Sequence, residues 1–167
     1  RSTPFKRFET LAAAVHSEVH LPELIVIALR TTVRAQRRFP WSDGVITQKA
    51  LSDCLTQLER HQGDGRLKIV ACHHPLISSD PARPNPTIGG DEALLALAKA
   101  GAQVLLSGHV HDAFDVTREI EGRAVRMIGT GTLSRRLRSS PPTYTRLEVV
   151  PDGSILVEHC VLEAQAR

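Results

Sequence analysis

Two apolar runs in this chain end in histidines, and no other feature restricts its fold as tightly. Gln103-Val104-Leu105-Leu106 leads into Ser107-Gly108-His109-Val110-His111-Asp112, and Leu67-Lys68-Ile69-Val70-Ala71 leads into Cys72-His73-His74-Pro75. Short apolar runs bounded by turn residues read as buried strands. Gly108 is expected to turn the backbone sharply. Alternate side chains of extended backbone share one side, so His109 and His111 are expected to converge just past a strand end. With His73 and His74 at the end of a second strand, one edge of the sheet gathers imidazoles, the arrangement that metal ligation needs.

A third apolar run, Leu24-Ile25-Val26-Ile27-Ala28-Leu29, has the length and character of a strand buried on both faces. Before it, Pro4 to His20 reads as a helix with Phe5, Phe8, Leu11, Ala12 and Val15 on one face, stopped by Pro22. Thr31 to Gly44 is an Arg-rich loop holding Phe39-Pro40-Trp41 and a Ser-Asp-Gly turn. Thr47 suits the N-cap of a helix reaching His61, with Ala50, Leu51, Cys54, Leu55 and Leu58 as its apolar stripe and Gly63-Asp64-Gly65 beyond its end. The loop from His73 to Gly90 contains Pro75, Pro81, Pro84 and Pro86. A loop this long in a compact domain is expected to be functional, and to rim the site it leaves from. Asp91 opens a helix through Ala100, with Leu94, Leu95, Leu97 and Ala98 on its apolar face and Gly101 just past its end. Strands follow near 113–120, 124–128, 143–150 and 154–161, with Gly122 and Asp152-Gly153 as turns. The order is mixed αβ followed by a β-meander.

At 167 residues the chain fits one domain, 1–167, long enough to bury a core. With four Phe, one Trp and one Tyr, that core rests on Leu, Val, Ile and Ala. A net charge of +3 is too small to imply nucleic acid by itself. Cys54, Cys72 and Cys160 are odd in number and scattered, which argues against a disulfide framework and for a reducing, cytoplasmic setting. No apolar run approaches membrane-spanning length, and no signal peptide opens the chain. The chain starts at Arg1 rather than Met, so upstream sequence is expected.

His16, His20, His61 and His159 have no ligand-like neighbours in sequence and read as structural or surface residues. His16 and His20 are four apart, but Ser17 stands where a metalloprotease helix needs Glu. Gly129-Thr130-Gly131-Thr132 matches neither the dinucleotide fingerprint nor the P-loop and reads as a strand-end turn. Arg135-Arg136-Leu137-Arg138 reads as a solvated basic loop, with a face toward an anionic substrate as the alternative.

Residues Leu67–Ile77 and Val104–Asp112 resemble the C-terminal metal-binding motifs, His-His-Pro and Gly-His-x-His, of calcineurin-like metallophosphoesterases. Leu24 to Leu58 is similar to the bacterial branch that includes cyclic-nucleotide phosphodiesterases, where a strand ends near Thr-Thr and a Gly-initiated turn, here Gly44-Val45-Ile46-Thr47, leads into a helix. Ile128 to Arg135 resembles the segment after Gly-His-x-His in that branch, so the likeness covers most of the chain. It implies an α/β fold, the C-terminal part of a four-layer α/β/β/α sandwich. It also implies that His73 is a metal ligand, that His109 and His111 serve two different ions of a binuclear centre, and that His74 stands behind them or faces substrate. Imidazole suits Mn, Fe, Zn or Ni, and two such ions about 3.5–4 Å apart handle phosphate-ester hydrolysis.

The family's Asp-x-His, Gly-Asp-x-x-Asp and Gly-Asn-His motifs do not occur in the chain, and Asp64 lacks the second Asp. The bridging Asp, the Asn ligand and the catalytic His therefore have no counterparts. The reading is a phosphodiester or phosphomonoester hydrolase represented by its C-terminal portion and inactive alone. The alternatives are a catalytically inactive protein-interaction module of the same fold, and a nuclease of the same superfamily, which the Arg-rich loops support weakly.

Overall fold

Apolar strands need cover on both faces, and this chain covers its sheet with helices on one side and a hairpin on the other. The computed structural model describes residues 6, 7, 10, 11, 18–36, 39–133, 141–150 and 152–162. In chain order the elements are β1 (Glu18–His20), β2 (Leu24–Leu29), β3 (Gly44–Val45), α1 (Gln48–Arg60), β4 (Leu67–Cys72), β5 (Thr87–Ile88), α2 (Gly90–Lys99), β6 (Val104–Ser107), β7 (Phe114–Ile120), β8 (Arg123–Gly129), β9 (Thr143–Val149) and β10 (Ile155–Val161). A six-stranded sheet has the order β1-β2-β4-β6-β8-β7. Its four inner strands are parallel, and β1 and β7 close the edges antiparallel. The protein is therefore a mixed α/β fold. Among the described residues its layers are helix, sheet and hairpin, and no described helix is long and apolar enough to cross a membrane.

The period-two alternation of the strands sorts their side chains between the two faces. Ile25, Ile27, Leu29, Val70, Leu105, Val125 and Met127 pack with Cys54 and Leu58 of α1 and with Ala93, Leu94, Leu97 and Ala98 of α2. Their neighbours Ile69, Val104 and Ile128 face the other way, against Ile155, Leu147 and Val157 of the β9–β10 hairpin. The aliphatic core expected from the scarcity of aromatics is what forms.

The local signals act as expected at both helices. The Thr47 hydroxyl accepts the Ala50 N–H at 3.2 Å, so it caps α1. Beyond α2, Gly101 takes φ +92°. Its N–H reaches the Ala98 carbonyl, and the Ala102 N–H reaches that of Leu97, satisfying the last turn. Glu121 and Gly122 both have positive φ, as a two-residue hairpin turn between β7 and β8 requires.

The N-terminal helix does not run to His20. Lys6, Arg7, Thr10 and Leu11 are helical, but Glu18–His20 pairs antiparallel with Ile25–Ile27 as β1. The open edge of β2 offers hydrogen bonds that outweigh local helical preference, and Val19 suits a strand. Ala12 to Ser17 and Phe5, Phe8 and Pro4 lie outside the described residues. So does the basic stretch Arg135 to Arg138.

Cys54, Cys72 and Cys160 are all unpaired. Burial pushes the Cys54 thiol up to about 12. Cys54 is fully enclosed while Cys160 is partly exposed, so alkylation of the folded protein at mildly alkaline pH should label Cys160 first and Cys54 only after denaturation. Mass mapping of the alkylated sites checks this.

A second prediction concerns the strap between sheet and hairpin. Arg126 donates to both carboxylate oxygens of Asp115, at 2.8 and 2.6 Å, and to the Ile155 carbonyl at 2.6 Å. The Arg126 guanidinium holds the Asp115 carboxyl below its usual range. A carboxylate with a lowered folded pKa contributes stability above its unfolded pKa and loses it as pH falls. Asp115→Asn should cost on the order of 1 kcal/mol near neutrality, the pair being partly exposed, and the gap from wild type should close toward acid pH. Urea unfolding across the acid range measures it.

Candidate metal centre

The four parallel strands end flush. Leu29 of β2 pairs with Cys72 of β4, Cys72 with Ser107 of β6, and Ser107 with Gly129 of β8. Whatever follows these residues emerges at one level on the carboxyl edge, where open α/β sheets hold their ligands. On β2 the next residues are Arg30 and Thr31, on β4 His73 and His74, on β6 Gly108 and His109, and on β8 Thr130.

His73, His74 and His109 converge there, with one ring nitrogen of each lying within 4.8 Å of the others. His109 Nδ1 and His73 Nε2 are 3.3 Å apart. Ring centroids are separated by 4.4 Å for His74 and His109, 4.6 Å for His73 and His74, and 5.1 Å for His73 and His109. The loops are tied together beneath the rings, since the Gly108 N–H donates to the His73 carbonyl and the Thr130 N–H to that of Ser107.

The backbone reaches this geometry by an unexpected route. The sharp turn belongs to His109, with φ 66°, and not to Gly108. The Val110 N–H donates to the Gly108 carbonyl at 2.8 Å, closing a three-residue turn centred on His109, a rare form for a residue with a side chain. His111 also has positive φ, 65°. The segment is not extended, so alternation does not bring His109 and His111 together. His111 stands outside the group of three, and its buried Nδ1 has no hydrogen-bond partner among the described residues. Non-glycine residues held in the left-handed region concentrate at functional sites, where the surroundings over-determine them.

His74 is the buried member of the group, 6% exposed. The Thr31 hydroxyl accepts its backbone N–H at 3.1 Å and meets its ring Nδ1 at 2.9 Å. A Cβ on Gly44 would come within 2.7 Å of His74 Cβ and 2.6 Å of the Thr87 hydroxyl, so only glycine lets β3 pass this close. Burial, then the nearby His109 and His73, pushes His74 down to about 4. His74 is therefore a neutral imidazole at physiological pH and adds no positive charge to the cluster.

Above the rings lies a cavity of about 480 Å³. Its walls are His73, His74 and His109 together with the segments 32–36 and 41–43, including Arg34 and the exposed Trp41. No described residue from Pro75 to Gly90 lines it, so the proline-rich loop does not rim this cavity. That loop is occupied structurally, since Thr87–Ile88 pairs with Gly44–Val45 and the Thr87 hydroxyl donates to the Pro75 carbonyl. Thr31 and Gly44, which hold His74 in place, entered the sequence analysis only through the Thr-Thr strand end and the Gly-initiated turn, with no role at the site. Their only signal was their place just beyond a strand and at the entry to a helix.

The donor set fits a metal ion in kind: three imidazoles, one buried and neutral, on the ends of two rigid strands. It contains no carboxylate, so it does not by itself supply a shared binuclear pair.

No protein-family model matches the chain, and no curated protein matches it. Among solved structures, the chain is similar to GAP50, the anchor in the inner membrane complex of Plasmodium, at 25% identity over 70% of this chain with a TM-score of 0.48. This chain spans 35% of that structure's length. It is also similar to Vps29 of Entamoeba histolytica complexed with zinc, at 17% identity over 81% of this chain and 97% of that one, with a TM-score of 0.26.

Thr31 tests the anchoring of the cluster. Thr31→Val keeps the shape and strands the His74 N–H and ring nitrogen without their hydroxyl, which should cost about 1–3 kcal/mol, whereas Thr31→Ser should cost less. Urea unfolding of the two variants separates the lost hydrogen bonds from lost packing.

Proposed function

We propose that this chain is the C-terminal portion of a calcineurin-like metal-dependent phosphoesterase, with His73 and His109 as metal ligands. The observation that carries the reading is the meeting of His73 Nε2 and His109 Nδ1, 3.3 Å apart, at the ends of neighbouring parallel strands. The left-handed turn at His109 holds its ring over the strand end. His111, whose buried Nδ1 has no hydrogen-bond partner among the described residues, would be the third histidine to hold the metal. His74 fixes the floor of the site and, being neutral, does not repel a cation. Arg34 on the cavity wall suits the negative charge of a phosphate ester.

A divalent ion held there supplies Lewis-acid charge and lowers the pKa of bound water. In this reading the whole enzyme uses two ions, of Mn, Fe, Zn or Ni, in a four-layer sandwich. The acidic ligands that bridge them come from outside these 167 residues. The substrate is a phosphodiester or phosphomonoester, and the setting is cytoplasmic.

The test compares residues 1–167 with the extended reading frame, measuring bound metal and hydrolysis of an aryl phosphodiester in added Mn²⁺. The extended protein should turn over, and His109→Ala should reduce its rate by at least about 100-fold with loss of metal. Turnover by the short chain would overturn the claim that essential ligands lie outside it. Bound metal without turnover in the extended protein would favour the inactive interaction module. An extended protein whose metal content is unaffected by His73→Ala and His109→Ala would end the ligand assignment.

A further inference from the structure

The opposite edge of the sheet carries a second convergence of ligand-type side chains, His20 and His61, which read as structural from sequence, together with Glu18. Glu18 and His20 are two apart on β1 and so share a side of that strand. Glu18 pairs with Ile27 and His20 with Ile25, so both lie along β2. His61 is the residue that terminates α1, where the helix stops just before β4 begins. The Nε2 atoms of both rings point at one oxygen, Glu18 Oε2, at 2.9 Å from His20 and 3.3 Å from His61. The ring centroids are 5.3 Å apart. Glu18 and His61 are largely enclosed, their side chains 18% and 16% exposed, while His20 faces outward at 49%.

We propose that Glu18, His20 and His61 form a second metal site at the amino edge of the sheet, suited to Zn²⁺, with Asp64 orienting His61 from behind. Two imidazoles and one carboxylate are a donor set used by zinc with a fourth position left for water. Bonds of the usual zinc length in a tetrahedron separate the donors by about 3.3 Å, close to the spacings from Glu18 to the two rings. Asp64 Oδ2 lies 3.3 Å from His61 Nδ1. That is the position of the carboxylate that receives the remaining ring proton of a zinc-bound histidine. The site would clamp the three-residue edge strand β1 to the end of α1, so an ion there stabilises the fold by mass action.

Arg66 opposes this ion. Its guanidinium stands 3.2 Å from Nδ1 of His20 and from Nδ1 of His61, and pairs with Asp64 at 2.8 Å. Lys68 adds a second cation 3.8 Å from Asp64. A ring that binds metal through Nε2 carries its proton on Nδ1 and can no longer accept from Arg66. Zinc binding must therefore displace the guanidinium from both rings, leaving it on Asp64. Removing that cation should strengthen the site, an outcome that a purely structural ion-pair cluster does not produce.

The experiment uses the full chain carrying His73→Ala and His109→Ala, which silences the carboxyl edge and makes the result independent of the phosphoesterase reading. Zn²⁺ is titrated against a chromophoric chelator, and Co²⁺ is added to read tetrahedral coordination from its visible absorption. One equivalent of Zn²⁺ should bind. Adding His61→Ala or Glu18→Gln should weaken it at least tenfold, and Arg66→Gln should tighten it severalfold. Glu18→Gln preserves side-chain shape, so it guards against unfolding in the His61 variant, and circular dichroism monitors both. Absence of a bound equivalent, or an affinity that neither His61→Ala nor Glu18→Gln changes, would overturn the proposal. So would an Arg66→Gln variant that binds more weakly.

Discussion

Everything at the carboxyl edge depends on the register of four parallel strands. Leu29, Cys72, Ser107 and Gly129 form one row across the sheet. A shift of one residue in β4 or β6 would carry His73 and His109 apart by a strand step and would turn each strand's side chains to the opposite face. That register is pinned from both sides. Ile69 and Val104 must face the hairpin while Val70 and Leu105 face the helices, and a slip would place each set in the wrong layer. The packing of an ordinary aliphatic core thus fixes the positions of the histidines at the strand ends.

The site is then built outward from its least reactive member. His74 is buried against Thr31 and passed closely by Gly44, and its low basicity follows from that burial. With His74 immobile, its neighbour His73 has little freedom, and the Gly108 N–H on the His73 carbonyl transmits that order to the next loop. The strained turn at His109 completes the arrangement. Two residues outside the histidine cluster, Thr31 against the His74 ring and Gly44 against its Cβ, therefore help to set the arrangement of the exposed histidines.

How much of this was legible in the sequence follows from the range of each signal. Leu24–Leu29 and Leu67–Cys72 were readable to the residue, because continuous apolar runs bounded by turn residues have few alternatives. Thr47 and Gly101 marked helix ends through local hydrogen bonds that any reader of sequence can anticipate. The failures were all non-local. Glu18–His20 became a strand because β2 offered an edge, not because of its own residues. The Gly-His-x-His segment was visible as a ligand motif, but its conformation was not, since positive φ at His109 and His111 runs against their intrinsic preference. Glu18, His20 and His61 are separated by up to 43 residues, so no spacing rule could have joined them.

The two edges of the sheet present opposite electrostatic problems to a cation. At the carboxyl edge the converging donors are imidazoles, which ligate as neutral groups, so a bound ion keeps its full charge until anionic donors or a phosphate arrive. Under the function proposed above, that deficit would suit the approach of an anionic phosphate ester and the negative charge that develops as its bond breaks. At the amino edge Glu18 and Asp64 already supply two negative charges, and Arg66 and Lys68 neutralise them. There an ion competes with protein cations for carboxylates that are already paired. On the two proposals, metal affinity at the first edge would be limited by missing anions and at the second by resident cations. Taken together, the two proposals give a divalent ion a chemical role at one end of the strands and a bracing role at the other.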